Sequence, residues 1–567
     1  MTAALNAVVR PRSARLPQSG SDRIGGALAW LSCAFLLVFL GLPLVAILGK
    51  ALQDKSGAWV GLKNFGGLFD AHFAYLLGNS VTVSLATTAI VIPLAYGFAA
   101  ALMRSEMPFK GLFRMLALIP LLAPSLLPGI SLVYLFGNQG VLKSWMGDGS
   151  IYGPVGIVLG EVFYTFPHAM MILLTALSLA DARLYEAATS LGAGRVRQFF
   201  TVTLPSVRYG LISAAMLVFT LVITDFGVPK IVGGRYDILA VEIYKQVIGQ
   251  QHFGLGSVYG LFLLLPAVLS WLVDRFVQRK QKALLTARAQ PLLPRRHLAT
   301  DALATAFCVL VCAWLILMLG MSVAAAFIKQ WPYNLAPSLA HFDFDNMDGG
   351  GWLAYRNSLK LALGTALAGG LLVFVGAYWV EKIRAAPLAR TITGFLAVLP
   401  MAVPGMVLGL GYIFFFNAPG NPLNALYGTM ALLVLCTTVH YYSTAHLTAV
   451  TALKQLDGEF EHVAASLKVP FWTTLRRVTL PICLPAVLEI ARYFFVSAMT
   501  TVSAVIFLYT PDTVLSSVAV LNMDDAGDTA AAAAMATVVV ATSAVICLIF
   551  GAGSWLALRR TQRWRKH

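Results

Sequence analysis

Twelve stretches of predominantly apolar residues punctuate this 567-residue chain, and each is long enough to cross the ~30 Å hydrocarbon core of a bilayer as an α-helix. They fall at 27–48, 79–103, 113–137, 151–177, 210–229, 254–274, 302–327, 357–380, 391–416, 424–448, 483–507 and 532–557. In hydrocarbon the backbone must satisfy its own hydrogen bonds, so segments of this length are helices. The expected fold is therefore all-α, a polytopic integral membrane protein. Composition agrees: 58% of residues are hydrophobic and 12% charged, about half the charge of an ordinary soluble domain. That excludes a soluble enzyme, a disordered chain and a secreted disulfide scaffold. The first stretch follows a polar leader with Arg10, Arg12, Arg15 and Arg23. It is longer than a signal-peptide core and lacks a small-residue cleavage site, which makes it a retained anchor.

A net charge of +16 could suggest nucleic acid as partner, but the placement of the charges argues otherwise. The leader, 104–114, 178–209, 275–300, 381–393, 449–482 and the tail after 558 lie on one side of the predicted topology and hold 30 of the 41 basic residues. Basic loops are retained in the cytoplasm, so both termini are expected there, in a cytoplasmic membrane, with lipid rather than nucleic acid as surroundings. The six cysteines (Cys33, Cys308, Cys312, Cys436, Cys483 and Cys547) sit in or beside apolar stretches without a CxxC pair, so they read as packing residues, with no metal or cofactor implied.

The chain repeats itself. Asn79-Ser80 opens the second stretch and Asn357-Ser358 the eighth. Leu118-Ile119-Pro120 with Pro124 and Gly129 returns as Val398-Leu399-Pro400 with Pro404 and Gly409, and Val202-Thr203-Leu204-Pro205 returns as Val478-Thr479-Leu480-Pro481. The spacing between the paired motifs is nearly constant along the chain. Two six-span halves starting on the same side are parallel repeats. The expected boundaries are a leader at 1–26, a first half at 27–275 with a patterned loop at 178–209, a basic linker at 276–300, a second half at 301–558 with its loop at 449–482, and a basic tail at 559–567. The prolines Pro120, Pro124, Pro128, Pro400 and Pro404 break or kink the third span of each half.

The loop between the fourth and fifth spans reads Glu186-Ala187-Ala188, three residues, Gly192, nine residues, then Val202-Thr203-Leu204-Pro205. Small alanines on a short helix permit close docking, the glycine allows a turn, and the proline marks where the next span begins. This pattern resembles the signature of permease subunits of binding-protein-dependent ABC importers. The second half repeats the frame as His462-Val463-Ala464, Lys468 and Val478-Thr479-Leu480-Pro481, with His462 replacing the acid and Lys468 the glycine. In that family the element docks in a cleft of the cytoplasmic ATPase. The resemblance implies ATPase-coupling roles for Glu186, Ala187, Ala188, Gly192, Leu204 and Pro205, and for the second-loop positions His462, Ala464, Lys468, Leu480 and Pro481. The glutamate and glycine roles carry over only to Glu186 and Gly192.

The chain has no match to the phosphate-cradling GxxxxGK[ST] loop, so it is not expected to hydrolyse ATP. The resemblance implies two copies of a partner ATPase and a periplasmic solute-binding protein. The fused two-half form is typical of the iron(III), thiamine and aminoethylphosphonate branches. Three blocks, Thr224–Lys230, Ile243–Gln251 and Leu521–Asp528, resemble 2-aminoethylphosphonate permeases. The same machinery for iron(III), thiamine or a polyamine is the alternative. An ion-coupled secondary transporter would need no partner, and the paired loops argue against it.

Ionisable residues inside a span are costly and should face a cavity or a partner. Glu161 and His168 share a helix face with Thr165, Asp225 ends the fifth span, and Glu489 and Arg492 open the eleventh. All five are candidates for the translocation path. In the register that pairs Leu204-Pro205 with Leu480-Pro481, Asp225 answers to Thr501 and Arg492 to Met216. That asymmetry suits a small zwitterion; a structural Glu489–Arg492 pair is the simpler reading. Asp524, Asp525 and Asp528 read as a solvated loop or a docking point for the binding protein, and His440 and His446 as satisfied packing residues.

Overall fold

A computed structural model describes residues 20–284, 292, 294, 296–383, 385–467 and 469–561. Most of the leader, much of the linker, Lys468 and the end of the tail lie outside the described residues. Among those described, the spans are Arg23–Ala51, Ala71–Arg104, Pro154–Ser178, Arg195–Thr224, Phe253–Val277, Leu298–Phe327, Gly351–Lys382, Phe471–Thr500 and Thr529–Arg559. Two further spans are broken: Lys110–Leu122 meets Leu126–Phe136 at 103°, and Pro387–Ala402 meets Gly405–Phe416 at 115°. Met430–His440 is followed, after Tyr441, by Tyr442–Lys454. Every one of the twelve apolar stretches thus has its helix or helix pair, and the all-α membrane fold holds. A short hairpin, Ile328–Gln330 with Asn334–Pro337, is the only sheet among the described residues.

The breaks fall where proline makes them. Pro124 and Pro404 stand at the two bends, where a ring and a missing N–H cannot continue a helix. The fifth and eleventh spans behave differently from expectation. They begin at Arg195 and Phe471, well before 210 and 483, and run through Leu204-Pro205 and Leu480-Pro481 without a break. A single widened π-turn, Phe199–Thr203 in one half and Leu475–Thr479 in the other, precedes each proline and absorbs its ring. The proline therefore tunes a continuous helix and does not end a loop.

The repeat is visible in the hydrogen bonds. Asn79 donates to the carbonyl of Asp237 at 2.9 Å, and the Ser80 hydroxyl accepts from the N–H of Leu239 at 2.9 Å. In the second half Asn357 donates to the carbonyls of Asp512 and Val514 at 2.9 and 3.1 Å, and Ser358 accepts from Ser516 at 2.8 Å. Each Asn-Ser pair holds the non-helical chain that follows the fifth or eleventh span, where the backbone lacks a ladder of its own.

The leading span of each half packs on the other half. Phe39 stacks on Phe416 at 5.9 Å, and Gly411 lets the second half's broken span approach so closely that a Cβ there would stand 2.6 Å from the Pro43 carbonyl oxygen. Reciprocally, the seventh span reaches the first half: Phe307 covers Gly97, the buried Cys312 thiol lies 3.9 Å from the Phe113 carbonyl, and Asp301 accepts from the N–H of Glu106 at 2.8 Å. Gly411→Ala forces this backbone contact apart, so a loss of about 1–3 kcal/mol is expected from overpacking. A thermal melt in detergent should show a lower transition for Gly411→Ala and none for Gly551→Ala, a helical glycine with no atom within 4 Å of an added Cβ.

Candidate functional site

Three groups of residues carry the candidate functions. The first is the patterned loop. Ala182–Ser190 forms a short helix that holds Glu186, Ala187 and Ala188, and the Asp181 side chain caps it by accepting from the N–H of Arg183. Gly192 takes φ +73° where the chain turns toward Arg195, a conformation that L-residues rarely adopt. The Ala193 N–H closes that turn on the Ala188 carbonyl at 2.9 Å. Glu186, Ala187 and Gly192 are exposed, as are the apolar side chains of Leu184, Leu191 and Val196. The second loop repeats the arrangement with the helix Glu459–Ser466, which contains His462 and Ala464, and with exposed Phe460, Val463 and Leu467.

The second group lies at the junction of the halves. Glu161 is fully buried in the fourth span, and its carboxyl stands beside that of Asp225. Asp225 is not a solvated end: it accepts from the N–H of Val228 at 2.9 Å and so starts the short helix Gly227–Val232. Tyr164, one turn along from Glu161, neighbours both acids and also faces Tyr441 and Tyr493 of the second half. Those two tyrosine rings meet edge to face at 6.0 Å. Sequence reasoning missed the three tyrosines; phenols spaced along spans that already carry acids were the available signal. His168 rests against the Tyr164 ring at 5.8 Å with its Nδ1 unpartnered among the described residues.

Glu489 and Arg492 pair with each other on one helix face, partly exposed. Thus Glu161 and Asp225 come together, and Glu489 and Arg492 form a pair of their own. His440 and His446 pack on the rings of Tyr441 and Tyr442. They are not the satisfied residues expected, since their Nδ1 atoms have no hydrogen-bond partner among the described residues.

The third group joins the halves on the side opposite the patterned loops. Lys230 binds Asp525 at 2.8 Å and sits 5.7 Å from the centre of the Tyr244 ring, which Phe226 meets at 5.0 Å. The three sequence blocks that resemble one branch of permeases thus converge on one lysine. Asp525 is an ion-pair partner where a solvated loop was expected. Lys230 was detectable as one of the few basic residues outside the charge-rich loops.

Chain-wide similarity accords with this paired architecture. Residues 92–282 and 373–560 both match the family described as binding-protein-dependent transport system inner membrane component. The chain belongs to that family. A ferric transport system permease protein of Actinobacillus pleuropneumoniae is 24% identical over 81% of this chain and 68% of its own length. A thiamine transport system permease protein of Brucella abortus is 26% identical over 71% of this chain and 72% of its own. A spermidine/putrescine transport system permease homologue of Mycoplasma pneumoniae, 26% identical, aligns over 95% of its length with 46% of this chain, so one half here matches a whole subunit there. This protein is a multi-pass inner-membrane permease component of an ABC importer. Permeases of this family work with an ATPase and a periplasmic binding protein and are not themselves enzymes.

Beside the ion pair, burial and the neighbouring Asp525 raise the Asp524 carboxyl to about 6, against the opposing hydrogen bond from Thr529 and the charge of Lys230. The folded chain holds this proton more tightly than the unfolded one, so its contribution to stability falls as pH rises from about 4 to about 6 and is level above that. Asp524→Asn should raise the melting temperature at pH 7.5 and leave it unchanged at pH 4; melts at both values check this.

Proposed function

We propose that this permease moves a small solute with a cationic centre, 2-aminoethylphosphonate, from its binding protein into the cytoplasm, driven by two ATPase copies, one under each half. The carrying observation is the cluster at the junction of the halves: two carboxyls, Glu161 and Asp225, with Tyr164, Tyr441 and Tyr493 around them. Buried acids without a base beside them favour a passing ammonium, and tyrosine faces favour the same charge. His168 extends that face along the fourth span. Convergence of the three branch-like blocks on Lys230 supports the phosphonate assignment, since a cation held by an exchangeable carboxylate suits an incoming anion. Glu489 and Arg492 serve in this reading as a mutual pair beside the path.

Both termini face the cytoplasm, and the halves are 27–275 and 301–558. The loops at 178–209 and 449–482 receive the ATPases through Glu186, Ala187, Ala188 and Gly192 on one side and His462, Ala464 and Lys468 on the other. Leu204-Pro205 and Leu480-Pro481 tie each loop to its span. The exposed apolar clusters and the continuity of Arg195–Thr224 and Phe471–Thr500 support this assignment, because a rigid helix entering the membrane carries displacement.

A second reading keeps the machinery and changes the cargo to ferric iron, thiamine or a polyamine. Relatives bear those names, and carboxyls with phenols suit a cation lacking an anionic end. Binding of each candidate to the cognate binding protein, followed by uptake into proteoliposomes, decides between them; uptake of 2-aminoethylphosphonate is expected, and uptake of another cargo alone would reverse the assignment. In the same assay Glu161→Gln and Asp225→Asn should each lower uptake about ten-fold with basal ATP hydrolysis retained, within the range of typical coupling energies. Unchanged uptake removes both residues from the path.

A further inference from the structure

The short helix Ala182–Ser190 has no fully buried residue, so apolar packing alone does not hold it to the membrane domain. A polar triangle does. Arg104, the last residue of the second span, donates to the Tyr185 hydroxyl at 2.6 Å and to the Thr203 hydroxyl at 3.1 Å; the two hydroxyls are 2.9 Å apart, and the guanidinium lies 5.1 Å from the centre of the Tyr185 ring. Tyr185 immediately precedes Glu186, and Thr203 immediately precedes Leu204-Pro205. Three elements therefore meet at one cation: the foot of the second span, the docking helix, and the π-turn of the fifth span.

The second half builds the same joint from different chemistry. Lys382 ends the eighth span and binds Glu461 at 2.8 Å, and Glu461 immediately precedes His462. In the repeat Lys382 answers to Arg104 in the register that pairs Asn357 with Asn79. Glu461 and Thr479 answer to Tyr185 and Thr203 in the register that pairs Leu480 with Leu204. The Lys382 side chain is only 10% exposed, so this is not a loosely solvated surface pair. Lys454 and Glu381, at 3.8 Å, flank it.

We infer that Arg104 and Lys382 are the positioning residues through which displacement of each docking helix reaches the second and eighth spans. A charge-assisted hydrogen bond in a half-buried site is stiff enough to move both ends together, where a solvated helix would slide. The inference rests on the reading that these helices receive the ATPases. It adds an asymmetry: the first joint uses a neutral hydroxyl and cannot be inverted, whereas the second is an ion pair whose charges can be exchanged.

The test uses the full complex of permease, ATPase and binding protein in proteoliposomes. Spin labels at Tyr75→Cys and Leu353→Cys, exposed positions near the far ends of the second and eighth spans, report movement on adding ATP and vanadate, independently of cargo. Lys382→Glu and Glu461→Lys should each abolish the nucleotide-driven distance change and lower binding-protein-stimulated hydrolysis about ten-fold, with the ATPase still bound. The double exchange should restore both. Tyr185→Phe keeps the ring, removes only the hydroxyl, and should uncouple without lowering the melting temperature; it decides the matter if the charge variants fail to fold. Full nucleotide response in Tyr185→Phe, or no restoration by the double exchange of well-folded variants, overturns the inference. A wild-type complex that binds no ATPase or shows no nucleotide response instead overturns the docking reading itself.

Discussion

Hydrocarbon offers the backbone no hydrogen bonds, so every place where this chain leaves a helix inside the membrane needs a side chain or a neighbouring helix end to take up the orphaned groups. Most of the architecture follows from how those places are served. After the fifth span the chain turns at Asp225, which takes the Val228 N–H, while Asn79 and Ser80 hold the irregular chain at Asp237 and Leu239 further on. After the eleventh span Asn357 and Ser358 do the same service. The irregular segments survive because they are enclosed in protein, and enclosed irregular backbone is what lets two halves meet around a polar cluster and not a sealed wall of helix.

The halves are equivalent in frame and complementary in detail. Ser125 abuts Gly227 in the first half, and at the same repeat positions Gly405 abuts Ser503 in the second: the bulk has changed sides of one contact and the contact has kept its size. The foot joints show the same substitution of means, a hydroxyl triangle against an ion pair. Close packing constrains the sum of two facing volumes more tightly than either one, so each half could drift as long as partners drifted together. The carboxyls Glu161 and Asp225 have no such partner change across the axis; Thr437 and Thr501 occupy the corresponding positions, and the cluster is one-sided in charge.

The all-α membrane fold and most spans were legible because length and apolarity decide them: nine straight spans and two bent pairs meet that test among the described residues, while the stretch at 424–448 is served by the shorter helix Met430–His440 and its continuation. The sharp bends were legible as prolines. The loop pattern around Glu186 and Gly192 was legible because turn chemistry is local: a glycine at φ +73° between two short helices needs no tertiary context. What escaped depended on contacts far apart in sequence. Lys230 finds Asp525 in the opposite half of the chain, and nothing near either residue announces the other. The early start of the fifth span escaped for a different reason. Pro205 normally signals a helix beginning, and only the π-turn at Phe199–Thr203 shows that the helix was already under way. The Glu489–Arg492 pair, by contrast, was legible as the simpler reading, because an acid one helical turn before an arginine has the nearer claim on its charge.

The crossed leading spans have a consequence for how the molecule is made. Arg23–Ala51 emerges during synthesis well before part of the surface it packs on, around Gly411 and Phe416 of the second half. The face that it turns to the second half must therefore wait in lipid, unmatched, until that half is inserted. Joining both halves in one polypeptide keeps that waiting helix beside its eventual partner at a high effective concentration and fixes the count of halves at one each. The linkage thus acts in biogenesis, as a guide for interlocking the two bundles.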